Sequence, residues 1–353
     1  MAITKIPAAG FSDAVNFRNI IINGDMSIAQ RGTSFTSVSN TAYHLDRFQL
    51  YMQNESSVYT VTQESDAPSG LAKSLKLDVT TADTSVASNE EVKLVHKIEG
   101  QNLQNIAKGT SDAKQLTLSF YVKTNKTGLY AVKLFDVDNS RDCSGSYTVT
   151  DTNWNRYTIT FPVDTTGTFD NDNARSLEIQ WWLVAGSAVQ GGSLNTAWRS
   201  NADSGSATGQ INFADSTSND WQLTGCQLEV GTSASDFEFL PVDVNLNRCL
   251  RYYNEINEAN NSTTFIAGAL DGNNGTGIAP YQFPISMRAA PTVSYTGSFN
   301  CYVASSGTNK TDLSIQAGTR GLRTLASSVT GSSGQAVHMD FASGAKIHLS
   351  AEL

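Results

Sequence analysis

The feature that most limits what this chain can become is a side-chain period of two. Leu116, Leu118, Phe120 and Val122 alternate with Thr117, Ser119, Tyr121 and Lys123, and Tyr157, Ile159 and Phe161 alternate with Thr158 and Thr160. Successive side chains of an extended strand point to opposite faces, so each run makes a strand with one apolar and one polar side. Residues 130–134 and 177–183 continue the pattern, and the gaps at 164–168 and 191–193 carry the Asp, Thr, Gly and Ser of turns. Many such strands need a second sheet to cover their apolar faces, which predicts a two-sheet sandwich over residues 19–240.

From Pro241 to Asn257 the rhythm changes. Leu246, Cys249, Leu250, Tyr253 and Ile256 recur at three and four, the spacing of one stripe on a helix of about four turns. Pro241 suits a first turn and Asp243 the positive end of the helix dipole. The stripe Leu246, Leu250, Tyr253 and Ile256 can cover its own domain or meet symmetry mates in a short three-helix bundle. Strand-like runs return at 264–270, 291–295, 300–304 and 345–349 between loops rich in Gly, Ser and Asn. The chain is therefore expected to be mainly β: a sandwich at 19–240, a linker helix at 241–260 and a smaller β domain at 261–353. Residues 1–18, with Pro7, Gly10 and no sustained period, read as an extended attachment arm.

Charged residues make up only 16% of the 353 and the formal charge is -9. Nucleic-acid binding needs clustered Lys and Arg to replace counterions, and no basic run interrupts the acidic average, so no nucleic-acid partner is expected. No window approaches 18 apolar residues and the first ten lack the apolar core of a secretory signal, which predicts no membrane insertion and synthesis in a cytoplasm. Cys143, Cys226, Cys249 and Cys301 are far apart, with no C-x-x-C pair, and read as buried free thiols. G-x-S-x-G, H-E-x-x-H and P-loop motifs are absent and the four histidines are scattered, so the chain is expected not to be an enzyme. His96, inside a strand-like run, reads as structural.

Four groups of residues go further. They are the run 223–231 (LTGCQLEVG) with 237–241 (FEFLP) and 248–254 (RCLRYYN); the opening 19–26 (NIIINGDM); 29–33 (AQRGT) with 43–48 (YHLDRF); and 283–293 (FPISMRAAPTV). Together they resemble the tail-fibre and fibre-like virion proteins of tailed bacteriophages, whose central module is similar to a carbohydrate-binding jelly roll. The resemblance implies a jelly roll at 19–240, a virion-surface protein made in the bacterial host cytoplasm, and a homotrimer. It also implies attachment to other virion proteins, tail or capsid, through residues 1–18, and a host cell-surface glycan as ligand. The alternative is a capsid decoration or head fibre, or a tail-bracing protein, with no host ligand.

The strand parity of residues 177–183 sends Trp181 to one side with Leu177 and Ile179, and Trp182 to the other with Glu178 and Gln180. An exposed indole beside hydrogen-bonding neighbours stacks well on a sugar ring, which makes Trp182 and Gln180 candidate glycan contacts, with Tyr121 and Trp198 beside them. Trp154 and Trp221 read as core corners. Asp136, Asp138 and Asp142, and the run at 170–173, offer hard oxygen ligands of the kind calcium takes, without the glycine and glutamate of an EF-hand loop. Jelly rolls of the resembled kind often hold structural calcium, so that ion is the one cofactor entertained.

Overall fold

The computed structural model describes residues 17–257, 264–273, 275–303, 306–310 and 313–353. The expected arm falls, for residues 1–16, outside them. The chain forms two compact units that part between Val242 and Asp243.

The first unit holds β1 (Ser34–Val38), β2 (Ala42–Tyr43), β3 (Phe48–Gln53), β4 (Val58–Glu64), β5 (Ser74–Thr81), β6 (Glu91–Glu99), β7 (Leu116–Thr124), β8 (Gly128–Asp136), β9 (Arg141–Val149), β10 (Asn155–Phe161), β11 (Arg175–Ala185), a one-turn helix α1 (Ser187–Gln190), β12 (Arg199–Ser200) and β13 (Asp220–Val230). One sheet has the order β1-β4-β5-β13-β7-β10 and the other β12-β9-β8-β11-β6-β3-β2. The chain crosses repeatedly from sheet to sheet and pairs antiparallel throughout, which is the jelly-roll build. Leu118, Phe120, Val122, Leu177, Ile179 and Trp181 fill the space between the sheets. Phe120 meets Trp181 and Tyr147 edge-on, the favoured contact of aromatic quadrupoles.

Of the residues that carry the phage-fibre resemblance, those at 19–26, 43–48 and 223–231 help to close this sandwich, while 248–254 and 283–293 lie in the second unit. Asn19 donates Nδ2 to the Cys226 carbonyl (3.0 Å) and accepts at Oδ1 from the Ile21 and Leu228 amides. Gly24 passes so close to β13 that a Cβ there would lie 2.1 Å from the Cys226 oxygen. Asn23 bridges the Ile28 and Asp46 carbonyls, Asp46 receives Gln30 through both carboxylate oxygens, and buried Arg47 donates to the Lys97 carbonyl (2.6 Å). Opening segment and closing strand are thus one hydrogen-bonded staple. Buried His96 belongs to it: its Nε2 lies 3.2 Å from the Ile22 amide.

The second unit comprises α2 (Val242–Leu250), β14 (Tyr253–Asn257), β15 (Thr264–Asp271), β16 (Thr276–Gln282), β17 (Thr292–Thr296), β18 (Phe299–Val303), β19 (Ser306–Lys310), β20 (Ser314–Ala317), β21 (Gly321–Ala326), β22 (Ala336–Phe341) and β23 (Lys346–Ser350). A three-stranded sheet β14-β23-β17 and a seven-stranded sheet β19-β18-β22-β15-β16-β21-β20 surround Phe299, Met339, Phe341 and Ile347.

The expected four-turn helix is corrected here. It stops at Leu250, the Tyr252 amide closes a turn on the Cys249 carbonyl, and Tyr253 and Ile256 lie in β14, paired with Ser350 and Ile347 of β23. Tyr252, Tyr253 and Ile256 favour strands, and the open edge of β23 decides between two periods that a five-residue run fits equally. Within the helix Cys249 of the stripe is buried together with Asn245, while Leu246 and Leu250 are half-buried. From Asp243 on, the helix and β14 fall within the second unit.

Candidate groove on the outer face of the first unit

Register determines which residues share the outer face of the seven-stranded sheet. Tyr51 of β3 stands opposite Lys93 of β6, which stands opposite Trp182 of β11. The next row is Gln49, Val95, Gln180 and Lys133, and the one beyond it is Lys97, Glu178 and Phe135. Two hollows of about 340 and 320 Å³ lie over these rows. Lys93, Phe135 and Gln180 line both, so the two make one groove. Thr41, Tyr51, Lys97, Arg175 and Glu178 line one end, and Glu91, Lys133, Trp182, Asn201, Asp203 and Ser206 the other.

Trp182 is on the outer face but is only 1% exposed, which corrects the expectation of an open indole. Ala131, Ala185, Val189 of α1 and Ala207 pack on it, and the Lys93 ammonium sits 4.3 Å from its ring centre and 4.7 Å from that of Tyr51. Lys93 is in turn fixed by Glu91 at 2.6 Å. Gln180 donates to Glu178 (2.6 Å), which Arg175 also holds (2.7 Å). Lys133 reaches Asn201 Oδ1 (2.8 Å), Ser206 Oγ (3.0 Å) and Asp142 (3.2 Å); burial lowers its pKa, and Asp142 opposes that. Burial, and then Glu91 and Glu178, raise the pKa of Tyr51, so its hydroxyl stays neutral and donates to Gln53 (2.6 Å).

Two polar atoms in this wall have no partner: Gln180 Oε1 and Trp182 Nε1 are buried and make no hydrogen bond. Buried polar atoms are nearly always satisfied, by protein, water or ligand, so an unmet acceptor and an unmet donor in one groove need an explanation.

The other two glycan candidates lie elsewhere. Tyr121 is on β7, in the opposite sheet, against Gly225 and below Arg156. Trp198 donates Nε1 to the Pro162 carbonyl (2.9 Å) and covers Lys108, whose ammonium is 5.5 Å from its ring centre. Of the four, only Gln180 and Trp182 share the groove. Sequence reasoning missed Tyr51, Lys93, Lys97, Lys133, Phe135 and Arg175, although Lys93, Val95 and Lys97 alternate visibly.

The aspartates at 136, 138 and 142 do not form a calcium cage. Asp136 and Asp142 occupy opposite faces of the β8–β9 hairpin, because Asp142 pairs with Phe135 and Asp136 with Arg141. Asp136 is bound by Lys108 (2.6 Å), and Asp142 by Arg199 (3.0 Å) and Lys133. Asp138 is exposed and accepts from the Asp170 amide. Lysine and arginine supply the positive charge a metal would otherwise bring. Among the described residues, one acidic trio does converge: Glu55, Asp83 and Glu90 each offer an oxygen within 4.8 Å of the others. Ser57, Ser85 and Ala87 amides hold the three, while burial, and then Asp83 and Glu55, raise the pKa of Glu90.

All four cysteines are buried and none forms a disulfide, and no helix of the described residues is long and apolar enough to cross a membrane. No family model matches the chain, and no curated protein sequence matches it. Similar solved structures include the enzymatically active domain of tailspike protein 4 of bacteriophage CBA120. It is 11% identical with a TM-score of 0.31, and the match covers 61% of this chain and 22% of that one. The family 11 carbohydrate-binding module of a Clostridium thermocellum cellulosomal cellulase is 14% identical with a TM-score of 0.29, over 56% of this chain and 99% of the module. The xylan-binding domain of a Paenibacillus barcinonensis protein is 11% identical with a TM-score of 0.28, over 57% and 94%.

Proposed function

We propose that this chain is a non-enzymatic virion protein of a tailed bacteriophage, a tail fibre or tail-associated appendage, that binds a host surface glycan in the groove of its first unit. The observation that carries the binding role is the pair of buried, unpartnered atoms, Gln180 Oε1 and Trp182 Nε1, in a groove lined by Tyr51, Phe135 and charged side chains. Saccharide hydroxyls both donate and accept, and this wall presents an unmet acceptor and an unmet donor. The virion role is supported by the resemblance of the stapling motifs. A trimer anchored through residues 1–18 completes the proposal, because repeated weak sites gain avidity.

The test is a glycan array probed with the whole protein and with Tyr51→Ala. Binding that falls about tenfold or more in the variant supports the groove, since a stacked aromatic in a binding site contributes roughly 1–3 kcal/mol. Equal binding by both proteins moves the site elsewhere. A second reading has an observation of its own. Asn19, Asn23, Asp46 and Arg47, from the motifs that carry the resemblance, build the staple and do not line the groove, which suits a decoration or bracing protein without host ligand. An array blank for every glycan favours that reading.

A further inference from the structure

We propose that Lys133 and Asn201 join in an intramolecular isopeptide bond, a covalent clamp between β8 and the loop that follows β12.

Lys133 Nζ lies 2.8 Å from Asn201 Oδ1, which is bonded directly to the carbonyl carbon, and 3.2 Å from an Asp142 carboxylate oxygen. Lys133 is 7% exposed and Asp142 is fully buried. Both reactants are held in place. Lys133 sits inside β8, opposite Ser144 of β9 and Gln180 of β11. Asn201 follows β12, whose two residues pair with Arg141 and Asp142, and its own amide donates to the Ser140 carbonyl (2.8 Å). An amine and a carbonyl fixed at contact distance react within one molecule, which removes much of the entropic barrier to condensation.

Charge distinguishes this lysine. Asp142 is shared by two cations, Lys133 and Arg199, the latter at 3.0 Å. Arginine does not surrender its proton, so the unmatched charge falls on Lys133, and burial, opposed by Asp142, favours the neutral amine that acts as a nucleophile. The neighbouring Lys93 and Glu91 are paired with each other, and Asp203 on the loop is exposed. Lys108 provides the contrast: it shares Asp136 and Asp164 with Arg141, two carboxylates for two cations, and remains an ion.

The step balances without a co-reactant. One ammonium proton passes from Nζ to Asp142, and the freed electron pair attacks Asn201 Cγ. As the Cγ–Nδ2 bond breaks, a second Nζ proton leaves with Nδ2. Asp142 then passes on its own proton, so an ammonium ion departs and the carboxylate is again charged beside Arg199. Asn201 is exposed and its Nδ2 has no hydrogen-bond partner among the described residues, which leaves the departing group a path to water. Ser206 Oγ keeps the Ala202 carbonyl (2.9 Å). The clamp fixes the loop whose Ala207 packs on Trp182, and so stiffens that wall of the groove.

The whole purified protein is weighed by intact mass spectrometry, fresh and after prolonged incubation, and then digested with trypsin. The expected mass is about 17 Da below that of the sequence, the loss of one ammonia. Trypsin should leave residues 127–141 joined to residues 200–248, uncut at Lys133. Asn201→Ala, a change at an exposed position, and Lys133→Arg should each show the full mass of their own sequence. A parent protein at full mass after incubation, with 127–133 and 134–141 recovered as separate peptides, overturns the proposal. So does a loss that persists in Asn201→Ala, which would place the missing ammonia at another residue.

Discussion

Strand β11 of the first unit and β22 of the second are both interior strands of seven-stranded sheets, yet they are covered differently. In β22 the burial alternates, with Val337, Met339 and Phe341 inside and Ala336, His338 and Asp340 more open. In β11 every residue from Ser176 to Ala185 is buried, on both faces. A two-sheet sandwich requires only the first pattern. The second means that something has been built over the outer face, namely α1, the loop through Ala207 and the lysine stems around Trp182. The extra cover on β11 coincides with the wall of the groove, where Gln180 and Trp182 lie.

The largest expected effect tests whether the first unit's polar interior is structural. Lys108 is buried with its ammonium 2.6 Å from Asp136 and 3.1 Å from Asp164, and it donates to the Thr166 and Gly167 carbonyls. Lys108→Met leaves two buried carboxylates with less compensation, Arg141 still holding Asp164. The expected loss is about 3–5 kcal/mol, read as a fall in the urea midpoint. A loss under about 1 kcal/mol would mean the network is dispensable and that the two units are stabilised alike.

The next effect is a pH dependence specific to the first unit. Burial, and then Arg31, lower His44 from 6.5 to about 4. The unfolded chain therefore binds this proton more readily, so the stabilisation is fully present above pH 6.5 and is lost as pH falls towards 4. The window is worth about 3 kcal/mol. Amide exchange followed in each unit between pH 7 and pH 4.5 should show protection falling in the first unit, with His44→Gln flattening the response. In the second unit His348 meets the Tyr253 hydroxyl at 2.8 Å and His338 stacks on Tyr302. A response centred there would break the comparison.

Much of the architecture was legible, and for one reason. Period two in residues 116–122 and 177–183 is a property of the covalent chain, and it placed Phe120 and Trp181 in the core. The site was less legible because it depends on register. Nothing local says that Lys93 will stand between Tyr51 and Trp182, residues 42 behind and 89 ahead of it in the numbering. Parity put Trp182 on the outer face, but exposure did not follow, because α1 and Lys93 cover it. Tyr121 fails for the complementary reason: polar-side parity holds for either sheet, and its strand belongs to the other one. The helix expected to reach Asn257 was lost to β23, a partner ninety residues away that no local window contains.

The smallest effects come from a matched pair of basic side chains on the two units. Lys93 is 9% exposed, clasped by two rings and one carboxylate, and Lys93→Met should cost about 1–2 kcal/mol in thermal unfolding, from the lost cation–ring contacts and the unpaired Glu91. Arg323 also stands on a sheet strand, but it is exposed, and its guanidinium donates to Gln316 across β20 and β21. Arg323→Met should stay within about 0.5 kcal/mol of the parent and leave saccharide binding unchanged. Equal costs at the two positions would mean that the lysine over Trp182 is ordinary surface. The extra burial of β11 would then reflect packing alone, and the groove would lose its claim to have been built for a ligand.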